Sequence, residues 1–256
     1  MCAEVGARPN RRIDDTHTAW DKPTRMSPYV ELLQKVSLFH NVDVEELDRL
    51  ASLLTPREVV KDAHIVRQSE PGDSMFVIAR GRVKVVLFGD NGREVILTIL
   101  KAGEFFGEMA LLDDMPRSAN VVAQEDSTVL VLKRADFSEH ILKSPRTGLN
   151  VMGELCRRLR RADEIIGNLA TLDVYGRVAH IMIDLAKKDG EEVEEGILIR
   201  ERPTQQDIAS MIGTSRETVS RVLSDFQRRG FVEMRGREIL LSRKFAGQVD
   251  DTGVPS

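Results

Sequence analysis

The stretch QQDIASMIGTSRETVSRVL, residues 205–223, has the pattern of two short helices joined by a tight turn. In its first half Ile208, Ala209 and Ile212 recur at helical spacing and form one apolar face. The small side chain of Ala209 allows a second helix to cross closely. Gly213 permits the sharp turn that follows it. The stretch therefore predicts a helix-turn-helix motif.

The second of these helices carries polar side chains on its outward face. Ser215 is a favourable N-cap for it, and Val219 and Leu223 are predicted to face the domain interior. The outward positions are Arg216, Glu217, Ser220 and Arg221. Arginine can donate two hydrogen bonds to guanine O6 and N7, and glutamate can accept one from cytosine N4. This helix is therefore predicted to read base edges in a major groove.

The sequence around the motif predicts a winged domain. Residues 175–190 have the pattern of an amphipathic helix that ends at Gly190, and residues 191–195 are predicted to be an acidic loop before a short strand. Residues 231–242 predict a β-hairpin. Residues 215–244 contain eight Lys/Arg and four Asp/Glu and so carry +4, whereas the whole chain carries −4. A basic wing beside the two helices favours DNA binding over a solvated amphipathic helix.

A long helix is predicted before this domain, with a narrow apolar stripe that we call the apolar seam. Its members, separated by three or four residues, are Met152, Leu155, Leu159, Ala162, Ile166 and Leu169. A helix that packs on its own domain would show a broader stripe. The seam favours a parallel homodimer. Four arginines occupy the outer face: Arg157, Arg158, Arg160 and Arg161.

From residue 57 to residue 134 the apolar residues mostly alternate with polar ones and are rich in Val and Ile. Turn signals such as Asn91-Gly92 separate the runs, which predicts many short antiparallel strands in a small sandwich or jelly roll. Before this region the pattern is helical, and Asn41 or Asp43 is predicted to cap a second helix that begins near Val44.

The stretch FFGEMALLDDMPRSA, residues 105–119, interrupts the strands with a predicted loop and short helix. It places Glu108 and Arg117 within a mostly apolar sequence. Charged groups are rarely buried unless they are paired or bind something. The two residues are therefore either a structural ion pair or two halves of a ligand site.

Three segments resemble the CRP/FNR family of bacterial transcription regulators. Residues 167–187, GNLATLDVYGRVAHIMIDLAK, and residues 213–223, GTSRETVSRVL, resemble its hinge and recognition helix, and residues 105–119 resemble the phosphate-binding cassette of cyclic-nucleotide-binding domains. The resemblance covers nearly all of residues 28–244 and implies an α+β fold. The implied organisation is a flexible tail (1–27), a cyclic-nucleotide-binding β-roll or jelly roll (28–144), a dimerisation helix (145–172), a winged helix-turn-helix domain (173–244) and a tail (245–256).

The resemblance also implies an effector site. Arg117 would bind the cyclic phosphate and Glu108 the ribose 2′-OH. The candidate ligand-binding residues are Gly107, Glu108, Met109, Ala110, Arg117, Ser118, Ala162 and Asp163. Ala162 and Asp163 stand where the family uses two hydroxyl residues against the purine. Asp163 can only accept hydrogen bonds, which suits adenine N6 and also guanine N1 and N2. The expected effector is cAMP, with cGMP as the second choice.

The implied partners are double-stranded DNA, a second copy of the chain and RNA polymerase. The candidate DNA-binding residues are Thr204, Gln205, Ser215, Arg216, Glu217, Ser220 and Arg221. By resemblance they imply a palindromic, TGTGA-like site. Two alternatives stay open: DNA binding with a non-nucleotide effector or none, and a cyclic-nucleotide-binding regulatory subunit that acts on a protein partner.

Other classes of protein find little support in the sequence. Cys2 and Cys156 are the only cysteines, too few for a disulfide framework or a cysteine-rich metal site. The five histidines are scattered, and we find no catalytic motif. We therefore expect no enzyme activity and no metal. No apolar run is long enough to span a membrane, and the expected location is the cytoplasm.

Overall fold

The computed structural model describes residues 27–248, so nearly all of the predicted tail 1–27 lies outside the described residues. The helices are α1 (Val30–Leu33), α2 (Val44–Leu53), α3 (Met109–Leu112), α4 (Arg134–Lys143), α5 (Pro145–Thr171), α6 (Val174–Asp189), α7 (Gln205–Ile212), α8 (Arg216–Arg228) and α9 (Arg243–Gln248). The strands are β1 (Thr55–Val59), β2 (His64–Val66), β3 (Ser74–Arg80), β4 (Arg82–Phe88), β5 (Glu94–Lys101), β6 (Phe105–Phe106), β7 (Asn120–Ala123), β8 (Ser127–Lys133), β9 (Gly190–Val193), β10 (Gly196–Ile199), β11 (Val232–Arg235) and β12 (Glu238–Ser242). The α+β prediction is confirmed.

The N-terminal domain is a roll of two antiparallel four-stranded sheets. Their strand orders are β1-β8-β3-β6 and β2-β7-β4-β5. Fully buried Ile78, Val83 and Val129 pack between the sheets, because alternate residues of each strand face inward. The predicted turn at Asn91-Gly92 joins β4 to β5, and Gly92 has the positive φ of 75° that this turn needs.

The helices before the roll cover one side of it. α2 begins at Val44, as predicted, and Asp43 is the N-cap residue, although its side chain makes no capping hydrogen bond. Leu47 and Leu50 of α2 are buried together with Leu130 of β8. These contacts close a second apolar core beneath the sheet that contains β8.

α5 is a 27-residue helix that begins with Pro145, a residue well suited to the first turn. Its first turns pack on the roll, and Val151 is buried there. Farther along, the apolar seam faces solvent in the protomer: Leu159 and Ile166 are 64% and 65% exposed. Among residues 27–248, no helix has the combination of length and apolarity needed to cross a membrane.

The C-terminal domain packs α6, α7 and α8 on a four-stranded sheet of order β11-β12-β10-β9. Asp173 caps α6 by accepting the Gly176 N–H at 2.8 Å. Ile208, Ala209 and Val219 are fully buried in this domain. The predicted helix-turn-helix and its wing are thus confirmed.

Two sequence predictions for this domain are wrong. The acidic segment 191–195 is largely a strand: β9 pairs antiparallel with β10, and Glu191 forms an ion pair with Arg200 at 2.7 Å, which offsets part of its repulsion with neighbouring acids. The predicted tail 245–256 begins inside α9, since Phe245 is fully buried against Phe226 and Phe231. The sequences of β9 and α9 are locally polar, so neither has the apolar pattern that predicts a strand or a helix. Tertiary contacts stabilise both elements.

The roll and the C-terminal domain touch along the sheet that contains β4 and β5. Met211 of α7 packs against buried residues of that sheet, including Ile96. The Arg93 guanidinium donates to the Thr214 carbonyl at 3.0 Å, and Arg82 forms an ion pair with Glu201 at 2.9 Å. These contacts place the turn of the helix-turn-helix beside the β4–β5 hairpin.

Candidate nucleotide site and nucleic-acid interface

The cassette 105–119 folds as strand, glycine turn and short helix. β6 ends at Phe106, Gly107 turns the chain with φ 86°, and α3 begins at Met109. A side chain at Gly107 would also collide, because its Cβ would lie 2.7 Å from Nη1 of Arg117. Only glycine therefore combines this conformation with such close approach of the arginine.

Glu108 is 1% exposed and lies at the centre of the site. Its Oε1 accepts a hydrogen bond from Nη1 of Arg158 at 2.8 Å, whereas its Oε2 is buried with no partner. Burial raises the pKa of Glu108, and the nearby Arg158 charge opposes that shift. A buried acceptor with a free lone pair is costly unless a donor arrives. Oε2 is thus the natural acceptor for a hydroxyl group of a ligand.

Arg117 is only 7% exposed and is fixed by the backbone around it. It donates to the Gly107 carbonyl at 2.7 Å and to the Ser74 carbonyl at 2.6 Å, and it lies 5.7 Å from the centre of the Phe76 ring. Burial lowers its pKa, while the Asp73 and Glu108 charges raise it. Two of its five N–H donors are used, so three are available for an anion.

The structure separates the two charges that the sequence suggested as a possible ion pair. Among the described residues, Glu108 pairs with Arg158 of α5 and Arg117 pairs with carbonyl groups, with no salt bridge between Glu108 and Arg117. A structural Glu108–Arg117 bridge is therefore not what holds the cassette together.

Arg158 is a residue of the candidate site that the sequence analysis missed, because we placed it only on the outer face of the long helix. Besides Glu108, it donates to the Phe105 carbonyl at 3.0 Å and lies over the Phe105 ring at 4.8 Å. It thereby joins α5 to the cassette. The available signal was its position one helical turn before Ala162, on the same side of α5.

The other predicted ligand-binding residues differ in their surroundings. Ala110 is buried beneath the site, and Met109 is exposed. Ser118 is exposed beside Arg117, and its hydroxyl lies 3.8 Å from the Met109 sulfur. Ala162 and Asp163 are exposed on α5. Among residues 27–248, the exposed Asp163 carboxylate makes no hydrogen bond or ion pair, whereas Arg158 of the same helix bonds Glu108 of the cassette.

The turn between α7 and α8 is built as predicted. Gly213 adopts φ 71°, and the Ser215 hydroxyl accepts the Thr218 N–H at 3.2 Å. Thr204 begins α7 through a reciprocal capping box with Asp207. The Thr204 hydroxyl therefore already has a structural role at the start of the first helix.

The outward face of α8 is polar and accessible. Arg216, Glu217 and Arg221 are exposed, and Ser220 is half-buried. Hydrogen bonds from its own backbone N–H and from the Ser215 hydroxyl lower the pKa of Glu217, so its side chain is a carboxylate acceptor at neutral pH. Arg216, with Thr204 and the half-exposed Gln205, lines a cleft that faces the β-roll. Within residues 27–248, no group of three metal-ligating side chains is arranged to hold an ion.

Comparison with known proteins finds a matching family for the N-terminal roll and another for the C-terminal domain. A family model described as a cyclic nucleotide-binding domain matches residues 56–144, and one described as a Crp-like helix-turn-helix domain matches residues 176–244. The chain is similar to the CRP-like cAMP-activated global transcriptional regulator of Mycobacterium tuberculosis, with 30% identity over 83% of this chain and 95% of that protein. It is also similar to the cyclic AMP receptor protein of Thermus thermophilus, with 36% identity over 77% and 88%.

Among solved structures, the c-di-GMP responsive global regulator CLP of Xanthomonas campestris superimposes with a TM-score of 0.66. The match covers 78% of this chain and 99% of that one, at 24% identity. At this identity the likeness concerns the fold alone. That regulator's effector, as its description gives it, also differs from the cyclic mononucleotide of the two relatives above.

Proposed function

The chain belongs to the CRP/FNR family of DNA-binding transcription regulators, and we propose that a cyclic nucleotide controls its binding to DNA. It is a regulator and not an enzyme. The proposed effector is cAMP, with cGMP second. The nucleotide would occupy the cassette and α5 of the β-roll, and the helix-turn-helix domains of a homodimer would bind a palindromic site.

The buried, unpaired Oε2 of Glu108 is the observation that carries this proposal. A ribose 2′-OH can donate to it, which would satisfy an acceptor that otherwise has no partner. The free N–H groups of Arg117 can donate to the two outer oxygens of a cyclic phosphate, and the Ser118 hydroxyl stands beside them. The Glu108 acceptor, together with the Arg117 and Ser118 donors, suits the sugar and phosphate of a cyclic nucleotide.

The base would be recognised from α5. Asp163, five residues beyond Arg158 on α5, presents acceptor oxygens, which suit the amino group of adenine and also the N1 and N2 donors of guanine. Calorimetric titration of wild type and Asp163→Ala with cAMP and cGMP tests this role, with Glu164→Gln as the control on the same helix. We expect unequal losses for the two nucleotides, and equal small losses would contradict base reading.

The dimer and the DNA site follow from two exposed surfaces. Apart from the half-buried Leu155, the apolar seam is solvent-exposed in the protomer, and such a stripe is stable when a second helix covers it. Two α8 helices in that dimer would enter successive major grooves of a TGTGA-like palindrome. RNA polymerase would be the further partner, in the cytoplasm.

Fluorescence anisotropy with a TGTGA palindrome tests the function. We expect cAMP to strengthen DNA binding by the full chain, cGMP to do so less, and Arg117→Gln to remove the response. Arg80→Gln, at the exposed end of β3, is the control and should respond as wild type does. Equally tight DNA binding with and without either nucleotide would favour a non-nucleotide effector or none.

A further inference from the structure

Arg134, the first residue of α4, turns its side chain back over the cassette. Its guanidinium donates to the Gly72 carbonyl at 2.6 Å, the Ala110 carbonyl at 2.7 Å and the Leu111 carbonyl at 3.2 Å. It also pairs with the Asp114 carboxylate. One side chain thus joins the β2–β3 loop to the end of α3, and neither segment is its neighbour in sequence.

The first of these segments, at Gly72, forms one of the two walls between which Arg117 lies, and Gly107, just before α3, forms the other. A Cβ atom on Gly72 would lie 2.6 Å from Nε of Arg117 and 2.8 Å from Cβ of Ala110. A Cβ atom on Gly107, on the far side, would lie 2.7 Å from Nη1 of Arg117. The slot therefore fits the guanidinium with no spare space, and a small shift of either wall would reorient its N–H groups.

Arg134 also stabilises the part of the cassette that local structure leaves weakest. α3 has only four residues, and its last carbonyl groups lack partners within the helix. The Ala110 and Leu111 carbonyls instead accept from Arg134. Asp114, just after α3, holds a positive φ of 55° and pairs with the same guanidinium. A lysine could not make this set of bonds, because it lacks the planar fork of donors.

We propose that Arg134 is a positioning residue for the anion site: by bonding Gly72, Ala110 and Leu111 it holds one wall of the slot that orients Arg117, and the short helix α3 that follows the other wall. The inference rests on the proposed function in taking the anion to be a cyclic phosphate. Because the backbone N–H of Arg134 also donates to the Asp73 carbonyl at 2.7 Å, the start of α4 is fixed to the same loop. Arg134 itself is not proposed to touch the ligand.

A double-mutant cycle on the full chain tests this role, with cAMP as the probe in calorimetric titrations. Arg134→Gln and Arg134→Lys should each weaken cAMP binding by about tenfold, since both lose charge-assisted bonds of the fork. In an Arg117→Gln background the same changes should weaken cAMP binding by less than about twofold, because the residue being positioned is gone. Arg80→Gln, the exposed control, should change affinity by less than about twofold.

Amide hydrogen exchange of the nucleotide-free chain gives a second readout. Exchange should accelerate in segments 69–73 and 109–113 of Arg134→Lys and remain unchanged in Arg80→Gln. An equal loss of affinity in both Arg117 backgrounds, or unchanged exchange in those segments, would overturn the proposal. If wild type binds neither cAMP nor cGMP, the proposed effector fails, while the exchange experiment still decides whether Arg134 holds those segments.

Discussion

Arg117 and Glu108 show how single side chains define the site. Each is nearly buried, and each is satisfied by a different part of the protein: Arg117 by carbonyl groups of the roll and Glu108 by Arg158 of α5. The remaining N–H donors and the remaining oxygen are then free for one ligand. Because each side chain is bonded elsewhere, N–H donors of Arg117 and one oxygen of Glu108 remain unused. A direct Glu108–Arg117 ion pair would have occupied these groups.

Glu108→Gln should weaken cAMP binding by about tenfold, since a neutral amide oxygen is a poorer acceptor than a carboxylate. Because burial raises the pKa of Glu108, the wild-type contribution to stability is present at low pH and is lost as the pH rises through the folded-state pKa. Relative to Glu108→Gln, the nucleotide-free wild type should therefore lose thermal stability as the pH rises above the unfolded pKa of about 4.3. Calorimetry and melting curves measure both effects. An unchanged affinity would contradict the role of Glu108.

Glu217→Ala should relax discrimination at one base pair of the DNA site by about 1–3 kcal/mol, because the carboxylate accepts from one base. Anisotropy with a panel of single-substituted palindromes measures this effect. Ser224→Ala, exposed farther along α8, serves as the control. A uniform loss of affinity across all sequences would mean that Glu217 has a structural role.

At the scale of elements, α5 connects every proposed activity. Its first turns pack on the roll, Arg158 joins it to the cassette, Asp163 lies five residues farther, and the apolar seam runs from Met152 to Leu169. The junction before it is polar and buried: the ring of His140 lies between Glu46 of α2 and Thr147 of α5. One helix thus spans the roll, the proposed base contact and the proposed dimer interface.

Ile166→Asp should convert a dimer into a monomer without unfolding the protomer, since Ile166 is 65% exposed there. Leu142→Asp is a matched control, because Leu142 is 85% exposed on α4 and lies outside the seam. Sedimentation velocity reports the mass of each variant. A dimeric Ile166→Asp, or a monomeric wild type, would show that the apolar seam is not the dimer interface.

Burial of His140 should make the stability of the protein depend on pH. Burial lowers the pKa of His140, and Glu46 opposes this only in part. The unfolded chain therefore binds a proton more readily, and the free energy of unfolding falls as the pH decreases through the unfolded pKa of about 6.5. Relative to His140→Gln, the wild-type melting temperature should drop by a few degrees between pH ~7 and pH ~5. Parallel pH profiles for the two proteins would refute this.

At the scale of the whole molecule, charged pairs link the DNA-binding domain to α5 and to the roll. Arg161 of α5 pairs with Asp184 of α6 at 2.5 Å, and Lys188 pairs with Glu104 at 3.0 Å. Arg216 of the recognition helix faces the cleft beside these contacts. Since these pairs are partly exposed, each is weak and screened by salt.

Asp184→Asn should change the ratio of DNA affinities measured with and without cAMP by about two- to fivefold, the range that a partly exposed pair supports. Glu164→Gln is the matched control, because Glu164 pairs with the same Arg161 but within α5, at 3.5 Å. Anisotropy titrations with and without cAMP give the ratio. Equal effects of both variants would mean that only the charge of Arg161 matters, and not its link to α6.

The sequence by itself determined the elements whose signals are local: the helix-turn-helix with Gly213 and Ser215, the β4–β5 hairpin, the apolar seam and the glycine turn of the cassette. Each depends on residues a few positions apart, where spacing and backbone preference suffice. Only the tertiary structure decided that Glu108 pairs with Arg158, that Arg134 joins the β2–β3 loop to α3, and that Phe245 of α9 packs into the C-terminal core. These partners are separated by 14 to 62 positions, so their contact is a consequence of packing and not of any local pattern.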